Sequence, residues 1–141
     1  MTRSFVLAAV LAGSVACYAA DKTIRRVPTN PTSPASGVEM FREYCAVCHG
    51  LDAKGGGPAA PALNKTPANL TELTARNKGK FPELKVYSTI QGDAEMPAHG
   101  SRDMPIWGTV FQSMSRGSAG EAQMRISNLI TYVKSLQVEA K

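Results

Sequence analysis

Several residue types are scarce in this chain, and each shortage removes a class of function. Of 141 residues three are cysteine, two histidine and one tryptophan, and aromatics make up only 6%. A disulfide-stapled scaffold needs more thiols, and a tetrahedral zinc fold needs more Cys/His pairs. No stretch alternates cleanly between apolar and polar residues, so strand signals are nearly absent. No apolar run reaches the ~20 residues of a membrane-spanning helix. Acidic residues (11) are fewer than basic ones (16), giving a net charge of +5. No basic cluster or basic helix stands out in the sequence, which weakens a nucleic-acid reading. The charge suits solubility and is compatible with docking on an anionic partner surface. The length is one domain's worth, short of the roughly 250 residues of a (β/α)₈ barrel.

What is present begins with a leader. Met1-Thr2-Arg3 is a short basic start, Phe5 to Val15 is apolar or small, and Ala16, Cys17, Ala19 and Ala20 follow. These are the three parts of a secretory signal peptide, expected over residues 1–19 and removed on export to the periplasm. Cys17 offers a minority alternative, lipid anchoring, although Ser14 stands where an apolar residue is usual. Residues 20–35 read as a flexible linker, because Thr29-Asn30-Pro31-Thr32-Ser33-Pro34 has turn formers and no apolar period. The folded domain is expected over residues 36–141.

Helix signals recur through that domain. Ser36 with Glu39 forms a capping box, after which Val38, Phe41, Cys45 and Cys48 fall at helical spacing. Asn69 with Glu72 repeats the pattern before a short helix near Leu70 to Arg76. Pro82 suits a helix start and Gly92 a stop, with Val86 and Ile90, and Leu84 and Tyr87, between them. A short helix covers Trp107 to Met114. In the last helix Ile126, Leu129, Ile130, Val133 and Leu136 form one apolar stripe, with Arg125, Asn128 and Lys134 mostly off it. The expected fold is all-α, with four or five helices. Long Gly- and Pro-rich connections, Gly50 to Ala68 and Gly92 to Pro105, need something else to organise them. A bound cofactor forming part of the core would do so.

The chemistry lies in Cys45-Ala46-Val47-Cys48-His49. This is the C-x-x-C-H signature of c-type haem attachment. On a helix, positions i, i+3 and i+4 share a face, so both thiols reach the two vinyl groups of one haem while the imidazole points at the iron. His49 is therefore the expected proximal ligand. A thioredoxin-like pair would sit near a βαβ pattern, which is missing, and a zinc site would find only His99 as a further mature-region ligand.

In this order of motifs the chain resembles the monohaem class I c-type cytochromes, over roughly Gly37 to Gln137. Gly37 and Phe41 match the family's Gly and aromatic on the first helix. Cys45 to Gly50 matches the haem motif and the glycine after it. Lys54 to Pro58, Pro61-Ala62-Leu63, Met104-Pro105-Ile106-Trp107-Gly108 and the helix Ile126 to Gln137 follow in register. The resemblance implies a small cytochrome c fold around one haem c, covalently held by Cys45 and Cys48, with the first and last helices crossing at Gly37. Phe41 would pack with Leu129, Tyr132 or Val133. It also implies that a proline carbonyl, matched here by Pro61, accepts a hydrogen bond from His49.

The second iron ligand is read by sorting the methionines. Met1 is the initiator, Met40 is too near the haem motif, and Met114 and Met124 read as core filler. Met96 and Met104 remain, each stiffened by a following proline, and His99 is a third candidate. The Met-Pro element followed by Trp-Gly in the resembling family implies Met104. A haem iron closed by His and Met suits one-electron transfer rather than catalysis, between redox partner proteins docked transiently on a monomer. The rival readings are a permanent cytochrome subunit of a dehydrogenase or oxidase, and a five-coordinate haem sensor or enzyme.

Overall fold

The computed structural model describes residues 30–92 and 104–138, and its regular elements there are all helical. The signal peptide expected over residues 1–19, with Cys17, lies outside the described residues, as do residues 20–29 of the linker.

Helix α1 (Gly37–Met40) starts at Ser36, whose Oγ accepts the Glu39 amide at 3.2 Å. The Glu39 carboxylate reaches back one turn further than a capping box requires, accepting the Ser33 amide at 3.3 Å. A π-helical turn (Phe41–Cys45) and helix α2 (Ala46–His49) continue the rod. The buried face is Gly37, Met40, Phe41 and Tyr44, at the i, i+3, i+4 and i+7 spacing of one helical stripe. Val38, expected on that face, is exposed, because Gly37 faces α6 and Val38 lies about 100° further round the helix.

Two 3₁₀ turns (Ala60–Ala62 and Leu70–Glu72) punctuate the next stretch, followed by α3 (Leu73–Arg76). Asn69 caps the second turn, its Oδ1 accepting the Thr71 amide at 2.9 Å. Helix α4 (Glu83–Gln91) has Pro82 as N-cap and Gly92 at φ 90° as C-cap, in the positions the sequence indicates. Helix α5 (Trp107–Met114) spans the predicted residues. Helix α6 (Ala119–Ser135) begins at Ser118, whose side chain accepts the Glu121 amide at 3.4 Å.

The core forms where α1 and the π turn cross α6. A Cβ on Gly37 would overlap the Asn128 carbonyl and come within 2.8 Å of Tyr132 Cβ, so only glycine permits this approach. Phe41 packs on Tyr132 with ring centroids 5.3 Å apart, as the resemblance implied. Ile126, Leu129, Ile130 and Val133 are buried as the stripe predicted. Two assignments on α6 are corrected. Met124 is exposed rather than core filler. Arg125, placed off the stripe, is only 5% exposed.

Arg125 is buried because it holds the incoming chain. Its Nη1 donates to the Thr32 carbonyl at 3.0 Å and to Thr32 Oγ1 at 3.2 Å, while Nη2 pairs with Glu121 at 3.0 Å. Thr32 Oγ1 also shares a 2.9 Å hydrogen bond with the Tyr44 hydroxyl, which donates to the Asn30 carbonyl at 2.6 Å. Asn128 Nδ2 reaches the Pro34 carbonyl at 3.0 Å. The described part of the expected linker, residues 30–35, is thus a strap packed on the helices. At the other end, Gln137 bridges the Thr74 amide (2.9 Å) and the Leu70 carbonyl (2.7 Å).

Candidate haem site

Helix α2 ends in the three residues the sequence singles out, and its end is unusually well fixed. All four carbonyls of the helix are satisfied by the loop that follows. The amides of Gly50, Ala59, Gly57 and Gly55 donate to Ala46, Val47, Cys48 and His49 at 2.9, 2.8, 3.0 and 2.7 Å. The loop comes this close because a Cβ at Gly57 would lie 2.5 Å from the Ala46 and Val47 carbonyl oxygens. The Gly-rich stretch is therefore a backbone clamp on the end of α2, which orients His49.

The His49 ring is tied by its other end. Its Nδ1 lies 3.0 Å from the Ala68 carbonyl oxygen. A carbonyl can only accept, so Nδ1 carries the proton and Nε2 keeps its lone pair in the neutral ring. Burial lowers the imidazole pKa, and the Ala68 bond offsets that in part, so the neutral ligand form is favoured. The carbonyl in this bond belongs to Ala68, not to Pro61 as expected. Pro61 instead lies inside the 3₁₀ turn Ala60–Ala62. A backbone acceptor has no side-chain signature, so nothing in the sequence could have located it.

Cys45 and Cys48 are both free thiols, partly buried. Burial, with a smaller contribution from Cys48, pushes the Cys45 thiol up to about 12. It stays protonated, which suits neither thiolate exchange nor a redox disulfide. Among the described residues no three His, Cys, Asp or Glu side chains gather as a metal cluster.

Met104 stands on another element, the stretch leading into α5. The aromatic cluster links the two. Tyr44, next to Cys45, stacks on Trp107 at 5.2 Å, and Phe111 lies 5.9 Å from Tyr44 and 5.6 Å from Trp107. Met96 and His99, the other candidate ligands, lie outside the described residues. Among the described residues no helix is long and apolar enough to cross a membrane.

Two thiols at i and i+3, with an imidazole at i+4 whose Nδ1 is bound and whose Nε2 is free, are the donor set of a haem-attachment helix. A family model described as cytochrome c oxidase, cbb3-type, subunit III matches residues 32–115. The match spans more than half of the chain, which belongs to this family, within the class I c-type cytochromes. Searches of curated proteins and of solved structures found no match. The family's cofactor is a covalently bound haem c with its iron, and its cytochrome domains carry electrons to and from redox partners.

Proposed function

We propose that this protein carries one electron on a single haem c bound through thioethers to Cys45 and Cys48, with His49 and Met104 as axial ligands. The observation that carries this reading is the His49 ring, with Nδ1 bound to Ala68 and Nε2 available. The bound haem supplies reversible one-electron chemistry at its iron. The chain's own residues fix that chemistry. The loop clamp and Ala68 hold the imidazole in one tautomer and one orientation, which limits reorganisation between redox states. Met104, kept stiff by Pro105, would hold the iron opposite His49 in the bound haem. A thioether there favours the reduced iron and leaves no open position for peroxide or dioxygen. The leader pattern supports export to the periplasm and cleavage near Ala20, and a closed iron would suit a carrier rather than an enzyme.

Expression with a haem-attachment system should give a denatured chain whose mass equals the polypeptide from about Ala20 or Asp21 plus one haem. A bare polypeptide mass after such expression sinks the assignment of Cys45 and Cys48. Cys48→Ala should retain at most one thioether. For the distal ligand, Met104→Ala should abolish the long-wavelength Met–Fe(III) band. It should also lower the potential by on the order of 0.1 V, within the ~0.8 V that axial ligands span, and admit cyanide or carbon monoxide. Met96→Ala should leave all three nearly unchanged. If the unmutated protein binds carbon monoxide rapidly, the site is open and the sensor or enzyme reading replaces the carrier.

The family description favours one second reading, a cytochrome held permanently as an oxidase subunit. Gel filtration of native membrane and soluble fractions separates the two. A free carrier elutes at its own mass, whereas a subunit co-elutes with a larger assembly.

A further inference from the structure

The stretch that carries Met104 into α5 is held at two places. One is the end of α4. A Cβ at Gly108 would overlap the Gln91 carbonyl oxygen, and one at Gly92 would overlap the Ile106 side chain, so the two segments approach as closely as glycine allows. The other is Trp107, only 8% exposed, whose ring stacks on Tyr44 with centroids 5.2 Å apart and planes at 30°. Phe111, one turn further along α5, packs against both rings.

Tyr44 is itself held, and not by its neighbours in sequence. Its hydroxyl has one proton, which goes to the Asn30 carbonyl at 2.6 Å. Thr32 Oγ1 accepts from Arg125 Nη1 at 3.2 Å and gives its own proton to the Tyr44 oxygen at 2.9 Å. The hydrogen bonds therefore run in one direction, from the Arg125 guanidinium through Thr32 and Tyr44 to Asn30. Each polarises the next, and Thr32, Tyr44 and Arg125 are all buried. Stacking alone does not require this chain, since a phenylalanine ring at position 44 would also face Trp107. The hydroxyl adds a tether to residues 30–35, which supply none of the four amides that fix the end of α2.

We propose that Tyr44 is a positioning residue for Met104. The strap, through Asn30 and Thr32, fixes the Tyr44 ring; the ring fixes Trp107; and Trp107 keeps the Met104 segment from swinging away from the iron. This rests on Met104 being the sixth ligand, as read above. Only Pro105 and Ile106 separate Met104 from Trp107. The first has its φ locked and the second is seated against Gly92, so a shift of Trp107 is passed on rather than absorbed. The strap thus sets how often the iron opens to an outside ligand, although it lies outside the ligand set.

The test is imidazole binding to the ferric holoprotein at saturating imidazole, where the rate equals that of Met104 dissociation. Tyr44→Phe keeps the ring and should bind imidazole about fivefold faster, the worth of one net hydrogen bond. Thr32→Val, similar in shape, should speed binding by about the same factor. The two together should do no more than Tyr44→Phe alone, because Thr32 acts through that hydroxyl. The Trp107 and Gly108 amides should exchange faster in both single variants, while the long-wavelength Met–Fe(III) band remains. Gln137→Ala, which breaks the bonds to Thr74 and Leu70 instead, should lower the urea midpoint and leave the imidazole rate unchanged. If it speeds imidazole binding as much as Tyr44→Phe for the same loss of midpoint, opening follows overall stability and the proposal falls. The proposal falls equally if Thr32→Val adds its full effect to Tyr44→Phe, or if neither variant binds faster although the parent shows the Met–Fe(III) band. A parent that lacks the band and takes up imidazole at once removes Met104 as the ligand, and the proposal with it.

Discussion

Gly37→Ala should destabilise the holoprotein by about 3 kcal/mol, as one methyl group forces two helices apart. The added Cβ meets the Asn128 carbonyl and Tyr132 Cβ, which belong to backbone and side-chain root and cannot swing away. Against a total stability of ~5–15 kcal/mol, that loss is large. Gly120→Ala in α6 is the matched control. Its Cβ would meet nothing within 4 Å, and removing a glycine from the helix should gain about 0.5–1 kcal/mol. Urea unfolding followed by circular dichroism reads both changes as shifts in midpoint. Equal responses from the two variants would show that the crossing is not tight.

Arg125→Met should cost about 3 kcal/mol, the low end for breaking a buried ion pair, because the Glu121 side chain is 34% exposed and keeps part of its hydration. The larger share comes from the Thr32 carbonyl, which loses its donor in a buried setting. Arg125→Lys should recover only part of the loss, since an ammonium cannot replace the guanidinium fork between Glu121 and Thr32. Hydrogen exchange distinguishes this from general loosening. Amides near residues 30–35 should exchange faster in Arg125→Met while those at the centre of α6 remain the slowest in the protein. Unchanged exchange in the strap would show that something other than Arg125 holds it.

Much of the molecule was legible where the signal is local. Ser36, Pro82 and Gly92 mark helix ends through their own conformational preferences, and those ends are where they indicate. The haem motif is local too, because a single helical turn sets its geometry. The failures share one cause, a partner distant in sequence. Arg125 looks like a solvent-facing charge until Thr32, 93 positions away, is known to lie against it. Residues 30–35 read as linker because their turn formers make no periodic face, yet their carbonyls and Thr32 serve as hydrogen-bond acceptors for α6 and Tyr44. Ala68 replaced Pro61 because carbonyl position depends on loop path, which composition does not record. Val38 was misassigned because the contact of Gly37 with Asn128 and Tyr132, about 90 positions away, decides which face of α1 is buried.

The crossing of α1 with α6 also sets an order of events in time. Thr32 and Gly37, near the start of the described chain, find their partners Arg125 and Asn128 only near its end. In an exported, still unfolded chain the Cys45–His49 stretch therefore lies open while α1 and α6 have yet to meet. Closing so long a loop carries an entropic cost that local helices cannot repay alone. The topology thus makes docking of the last helix on α1 a late, long-range event, after the local turns around the haem motif.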